Sequence, residues 1–131
     1  MLASRSHKAQ HERATGLNGV TVGIKHTSGF ASRREKLQLL LVSIRRRYPD
    51  RQLRILVADD GGAADREVLR GFGARLLRLP LNAGLSYGRN ALVQATRTPF
   101  LVLLDDDTVF GHGTALGTLH QALRQHPKAA L

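Results

Sequence analysis

Residues 100–111 read FLVLLDDDTVFG, five apolar side chains running without a break into three consecutive aspartates. An apolar run this short fits a strand covered on both faces, as inside a parallel sheet, so neither side of residues 100–104 is expected to meet water. The three carboxylates at its end repel one another, and a cation has to offset them. The candidates are arginine side chains, which would make the cluster structural, or a hard divalent ion that accepts carboxylate oxygens.

The same pattern recurs upstream. Residues 53–58 form a second apolar strand that runs into Asp59 and Asp60, so half of the ten acids in the chain stand at two strand ends. Residues 20–24 (VTVGI) read as an earlier strand, followed by a loop at 25–29. A helix then starts at Ser32, which forms a capping box with Glu35. Leu37, Leu40, Leu41, Ile44 and Tyr48 repeat at helical spacing until Pro49. Arg45, Arg46 and Arg47 complement the dipole at its end. Residues 65–71 predict a short helix and 74–79 a third strand, with Arg75 and Arg78 as exposed interruptions. Residues 80–84 predict a loop, 85–96 a helix and 114–126 a last helix. Strands alternating with helices imply right-handed crossovers and an α/β fold: three layers, α/β/α, around a mostly parallel sheet.

Composition bounds the function. A chain of 131 residues suits one domain, here 19–131 after a polar mobile tail at 1–18. Apolar residues make up 42% and charged residues 23%, the mix of a globular protein. No apolar run reaches the roughly 18 residues of a membrane helix, and no signal-peptide pattern opens the chain. No cysteine is present, so a soluble, cytoplasmic protein without a transmembrane segment is expected. The formal charge is +10, and twelve of the twenty basic residues lie at or before Arg54, which favours anionic partners. Six Phe and Tyr with no stacking pair argue against specific nucleic-acid binding. Among the six histidines only His26 and His112 fall near the acidic strand ends, and no two form a metal-ligand spacing with an acid.

Open parallel sheets take ligands at the carboxyl ends of their strands, where strand order reverses. The two acid-tipped strands are expected side by side there. A Mg²⁺ or Mn²⁺ held by one or two carboxylates keeps positions that phosphate oxygens fill, and a metal-bound diphosphate reconciles local acid with a basic remainder. Arg89, just inside the helix after Asn82-Ala83-Gly84, is placed to give such a ligand a bidentate contact.

Taken in order, VTVGIKHT, SIRRRYP, ILVADDGG, LPLNAGLSYGRNAL and FLVLLDDDTVF resemble the nucleotide-sugar-binding half of a GT-A glycosyltransferase of family 2. The likeness is nearest to the β-1,4-N-acetylgalactosaminyltransferases of the ganglioside synthase kind and spans residues 20–127. It implies a Rossmann-like half in which Lys25, His26 and Thr27 lie against the nucleotide base. Asp59 would accept from the uracil with Asp60 beside it, and Arg89 and Asn90 would support base or phosphate. Asp105 and Asp107 would be the outer acids of the DxD motif, touching ribose and metal, with Asp106 sharing either task. The implied cofactor is Mn²⁺ or Mg²⁺, the donor a UDP-sugar, and the acceptor a hydroxyl of a glycan or glycolipid attacked with inversion. The general base is then expected beyond Leu131, making this chain a fragment or a reduced form. Lys25-His26-Thr27 stands where the family usually has Pro-Thr.

Two other classes share parts of the pattern. ILVADD, followed 46 residues after Asp59 by LLDDD, imitates a response-regulator receiver, and LLDDDTV imitates the nucleophile motif of haloacid-dehalogenase-like phosphatases. A receiver needs later strands carrying Ser or Thr and Lys, and the phosphatase motif opens its domain instead of nearly closing it. A non-catalytic nucleotide-binding remnant is the remaining alternative.

Overall fold

A computed structural model describes residues 17–50, 52–111 and 115–125. Four strands and four helices alternate: β1 (Val20–His26), α1 (Ala31–Arg47), β2 (Arg54–Asp59), α2 (Arg66–Gly71), β3 (Ala74–Arg78), α3 (Leu85–Ala95), β4 (Phe100–Asp105) and α4 (Leu116–Gln125). All strand pairs are parallel, in the order β3-β2-β1-β4. This is the expected α/β arrangement.

Side-chain alternation divides the core between the two faces of the sheet. Ile55 and Val57 of β2 join Val22 and Ile24 of β1 beneath Leu37, Leu40, Leu41 and Ile44 of α1. Each of those α1 side chains contributes about 1.5–3 kcal/mol by leaving water. Leu56 and Ala58 point the other way and pack with Leu92 of α3. Gly23 lets α3 come close, because a Cβ there would stand 3.4 Å from Leu92 and 3.0 Å from Leu101.

Four expectations change. The capping box does not form: the helix begins at Ala31 with extended Phe30 as its cap residue, and no side chain caps it. Ser32 thus lies inside the first turn, where the extended backbone of a cap is lost. Secondly, β4 is not sheathed on both faces. It pairs with β1 alone among the described residues, and Leu103 is 40% exposed. Thirdly, the acid-tipped strands are not neighbours, because β1 lies between β2 and β4. Lastly, Leu17 is buried in the core and accepts from Val20 N, so the folded domain reaches further back than residue 19. The rest of the expected tail, residues 1–16, and His112 lie outside the described residues, as do Thr114 and His126 at the ends of the expected last helix.

Arg45 does more than face the helix dipole. Its guanidinium donates to the carbonyls of Phe72 (2.6 Å), Leu53 (3.0 Å) and Asp50 (3.1 Å), tying the end of α1 to the strands' amino ends. Among the described residues no helix is long and apolar enough to cross a membrane.

Candidate functional site

With every strand parallel, the carboxyl ends form one rim. The chain moves outward from β1 to β2 to β3, then crosses back to place β4 on the other side of β1, so strand order reverses at β1 and β4. Register sets Lys25 opposite Asp105 and His26 opposite Asp59. The tip of β1 therefore sits between both acidic tips.

The acids divide by direction. Asp59 follows Ile55 and Val57 in alternation and turns inward, fully buried. Oδ1 accepts from Ser28 N (2.8 Å) and Gly61 N (3.0 Å), and Oδ2 from Ser28 Oγ (2.7 Å) and Ala64 N (3.2 Å), with Arg78 3.5 Å away. Burial opposes its ionised form, but the bonds from Gly61, Ser28 and Ala64 outweigh it and hold the pKa below the ordinary value. A Cβ on Gly61 would overlap the Ser28 backbone, which shows how tightly this loop closes. Asp59 thus ties the loop at Ser28 to the loop at Gly61 and Ala64 and to Arg78 of β3, and its oxygens already face protein donors.

Asp60 is the acid that reaches the cleft. Its Oδ1 meets Lys25 Nζ at 2.9 Å and accepts from Thr27 Oγ1 at 2.7 Å, while Oδ2 accepts from Gly84 N at 2.9 Å. Burial again opposes ionisation, but Gly84, Lys25 and Thr27 more than offset it and bring the pKa down to about 2. The 82–84 loop is shaped for this contact: Asn82 adopts φ +55° and donates to Asp60 O, and Gly84 adopts φ +94°. Lys25 runs beneath α3 at Gly88, where any Cβ would overlap its side chain. Its Nζ also donates to His26 O.

On β4 the three aspartates part company. Asp106 is 2% exposed and points inward, accepting from His26 Nδ1 (2.8 Å) and from Arg33 (3.1 Å). Burial resists its charge, yet His26 and Arg33 keep its pKa low. His26 Nε2 is buried without a hydrogen-bond partner among the described residues. Asp105 is 61% exposed, with Arg89 3.6 Å from its Oδ1. Asp107 is exposed as well.

A cleft of about 330 Å³ gathers Lys25, Thr27, Asp60, Asp105, Asp106 and Asp107, together with Arg33. Four carboxylates line the cleft with Lys25 and Arg33, and Arg89 stands beside Asp105, so one formal negative charge is left uncompensated. Of the other expected residues, His26 and Asp59 are buried behind the cleft, Arg89 stands on its lip against Asp105, and Asn90 is exposed on α3 without lining it. Arg33 was not singled out in the sequence. Its signal was there: it lies in the first turn of α1, which holds no acid, and a cation at a helix N-terminus opposes the dipole unless a nearby acid holds it.

Among the described residues no three His, Cys, Asp or Glu side chains gather as a closed metal cage. Asp105 and Asp107 instead offer two exposed carboxylates on one cleft, an all-oxygen donor set suited to Mg²⁺ or Mn²⁺ completed by ligand phosphate and water.

A parallel 3-2-1-4 sheet with acids along its carboxyl rim is an α/β arrangement consistent with a nucleotide-binding half. Residues 30–131 match the glycosyl transferase family 2 profile, and the chain belongs to that family. Over 95 residues it is 33% identical to beta-1,4 N-acetylgalactosaminyltransferase 1 of Homo sapiens, covering 72% of this chain and 17% of that protein. Over 93 residues it is 30% identical to beta-1,4 N-acetylgalactosaminyltransferase 2 of Mus musculus, covering 71% of this chain and 18% of the relative. The chain thus spans less than a fifth of the length of these relatives. The family match sets aside the receiver and phosphatase readings.

Proposed function

We propose that this domain binds a uridine-diphosphate sugar with a divalent cation for transfer of the sugar, with inversion, to an acceptor hydroxyl. The observation that carries the reading is the split within the aspartate triplet: Asp106 is fixed inside by His26 and Arg33, leaving Asp105 and Asp107 outward on one cleft. These two would hold Mn²⁺ or Mg²⁺, which when bound neutralises charge on the departing diphosphate as a Lewis acid.

The chain's own groups do the recognition. Asp60 stays ionised, and its Oδ2 accepts only from Gly84 among the described residues, which leaves a lone pair for a uracil imide N–H. Asp60 therefore takes the base contact that the resemblance gave to Asp59, and Asp59 braces the loop beneath it. Thr27 and Lys25 fix the Asp60 carboxylate in place. Arg89 is placed to turn from Asp105 to a phosphate, where its planar fork matches two oxygens. The names of the relatives point to N-acetylgalactosamine as the donor sugar.

Titration calorimetry tests this with UDP, with and without Mn²⁺. Binding is expected only with the ion, and is expected to be lost in Asp105→Ala with Asp107→Ala. Metal-independent binding, or binding unchanged in the double variant, would overturn the proposal.

A further inference from the structure

At the opposite end of the sheet lies a second concavity, of about 500 Å³, whose wall carries three arginines: Arg54, Arg75 and Arg97. They come from three separate elements. Arg54 opens β2 and stands opposite Thr21, Arg75 stands opposite Leu56, and Arg97 follows the end of α3. Alternation puts Arg54 and Arg75 on the same sheet face as Leu56, the face that α3 covers. All three guanidinium-bearing residues are exposed. Among the described residues none of them meets a carboxylate; the ion pairs present use Lys25, His26, Arg33, Arg70, Arg78 and Arg89. Among the described residues no acid lines the concavity.

We propose that this concavity is a second anion site, one that takes the phosphate group of a small phosphate ester. Three like charges around one hollow repel each other, and an anion bound between them removes that repulsion. Phosphate suits the arrangement better than carboxylate, because its tetrahedral oxygens point toward three planar forks coming from different directions and it carries up to two charges, whereas a carboxylate offers two coplanar oxygens and one charge. The volume exceeds that of a bare phosphate and falls in the range of small-molecule sites. Leu56 and Ala95 give the organic part of the ester an apolar floor, and Gln52 adds an amide. The site lies at the amino ends of the strands, so it needs neither the aspartates of the rim nor a metal, and it stands independently of the transfer reaction.

The test uses the full chain in EDTA at about 0.15 M chloride, where diffuse surface attraction is largely screened. Phenyl phosphate is titrated while the arginine Nε–H signals are followed by NMR. Saturating shifts confined to Arg54, Arg75 and Arg97 are expected, with tighter binding than inorganic phosphate because of the apolar floor. Arg75→Gln with Arg97→Gln should weaken binding at least about tenfold, and Arg54→Gln alone should weaken it measurably. Asp105→Asn with Asp107→Asn should leave it unchanged. Co-sedimentation with phosphatidylcholine vesicles containing phosphatidic acid, lost in the same arginine variants, would assign the phosphate to a lipid headgroup; its absence beside phenyl phosphate binding assigns a soluble ester. Shifts spread evenly over Arg33, Arg46 and Arg89, no saturation, or unchanged affinity in the double arginine variant would overturn the proposal.

Discussion

Replacing Asp59 by asparagine changes one oxygen of a buried carboxylate to NH₂ and leaves the shape almost intact. The remaining carbonyl can keep Ser28 N and Gly61 N, and the Ser28 hydroxyl can rotate to accept from the new amide. Ala64 N, at 3.2 Å, then faces another donor, and Arg78 loses its counter-charge. A buried N–H left without an acceptor costs about 1–3 kcal/mol, and a bond to a charged partner is worth about 1.5–3 kcal/mol, so the sum is about 3 kcal/mol after discounting half-exposed Arg78. At a urea slope of about 1.5 kcal/mol per molar, the unfolding midpoint falls by about 2 M at neutral pH. The variant should also be less sensitive to acid. Asp59 has a folded-state pKa below its ordinary value of 3.8, so its contribution is complete above about pH 4 and fades as pH drops through the folded value. Urea melts of both proteins between pH 7 and pH 3, followed by circular dichroism, measure both effects. A variant midpoint within about 0.3 M of the parent, with the same acid slope, would refute Asp59 as the hub of these loops.

Gly88→Ala should raise helix propensity by about 1 kcal/mol yet damage the site, since the methyl pushes on Lys25 and pulls its ammonium from Asp60; calorimetry should show weaker UDP binding with no gain in thermal stability. Asp105→Ala with Asp107→Ala should leave the unfolding free energy within about 0.5 kcal/mol of the parent in urea melts while abolishing Mn²⁺-dependent binding, because both side chains are exposed. Arg33→Gln should raise Mn²⁺ affinity in calorimetry, because it takes away one of the cations that offset the cleft's carboxylates while Asp106 keeps His26. The open edge of β4 among the described residues predicts concentration-dependent self-association in sedimentation velocity runs, and Leu103→Lys should reduce it.

The alternation of strands and helices was legible because apolar runs of strand length and the α1 periodicity survive almost unchanged in the burial pattern. Strand order was not, since periodicity fixes what a strand is and not who its neighbours are. The roles of Asp59 and Asp60 were legible in principle: counting by twos from Ile55 and Val57 sends Asp59 to the covered face and leaves Asp60 to the next. The same holds less well beyond β4, where the chain turns and parity lapses, so only tertiary partners show that Asp106 is the inward member of its triplet. The capping box failed because a matching pair of residue types does not specify where helical dihedrals begin.

Among the described residues the triplet stands at the tip of a strand bonded along one side, which has a mechanical consequence. On the proposed function, pyrimidine recognition would rest on β1 and β2, which are hydrogen-bonded on both sides, whereas the cation grip would ride on a more compliant support. Such a site would present a preset pole and an adjustable one: the base would seat against a firm wall, and the grip would adjust to the pyrophosphate that arrives with it.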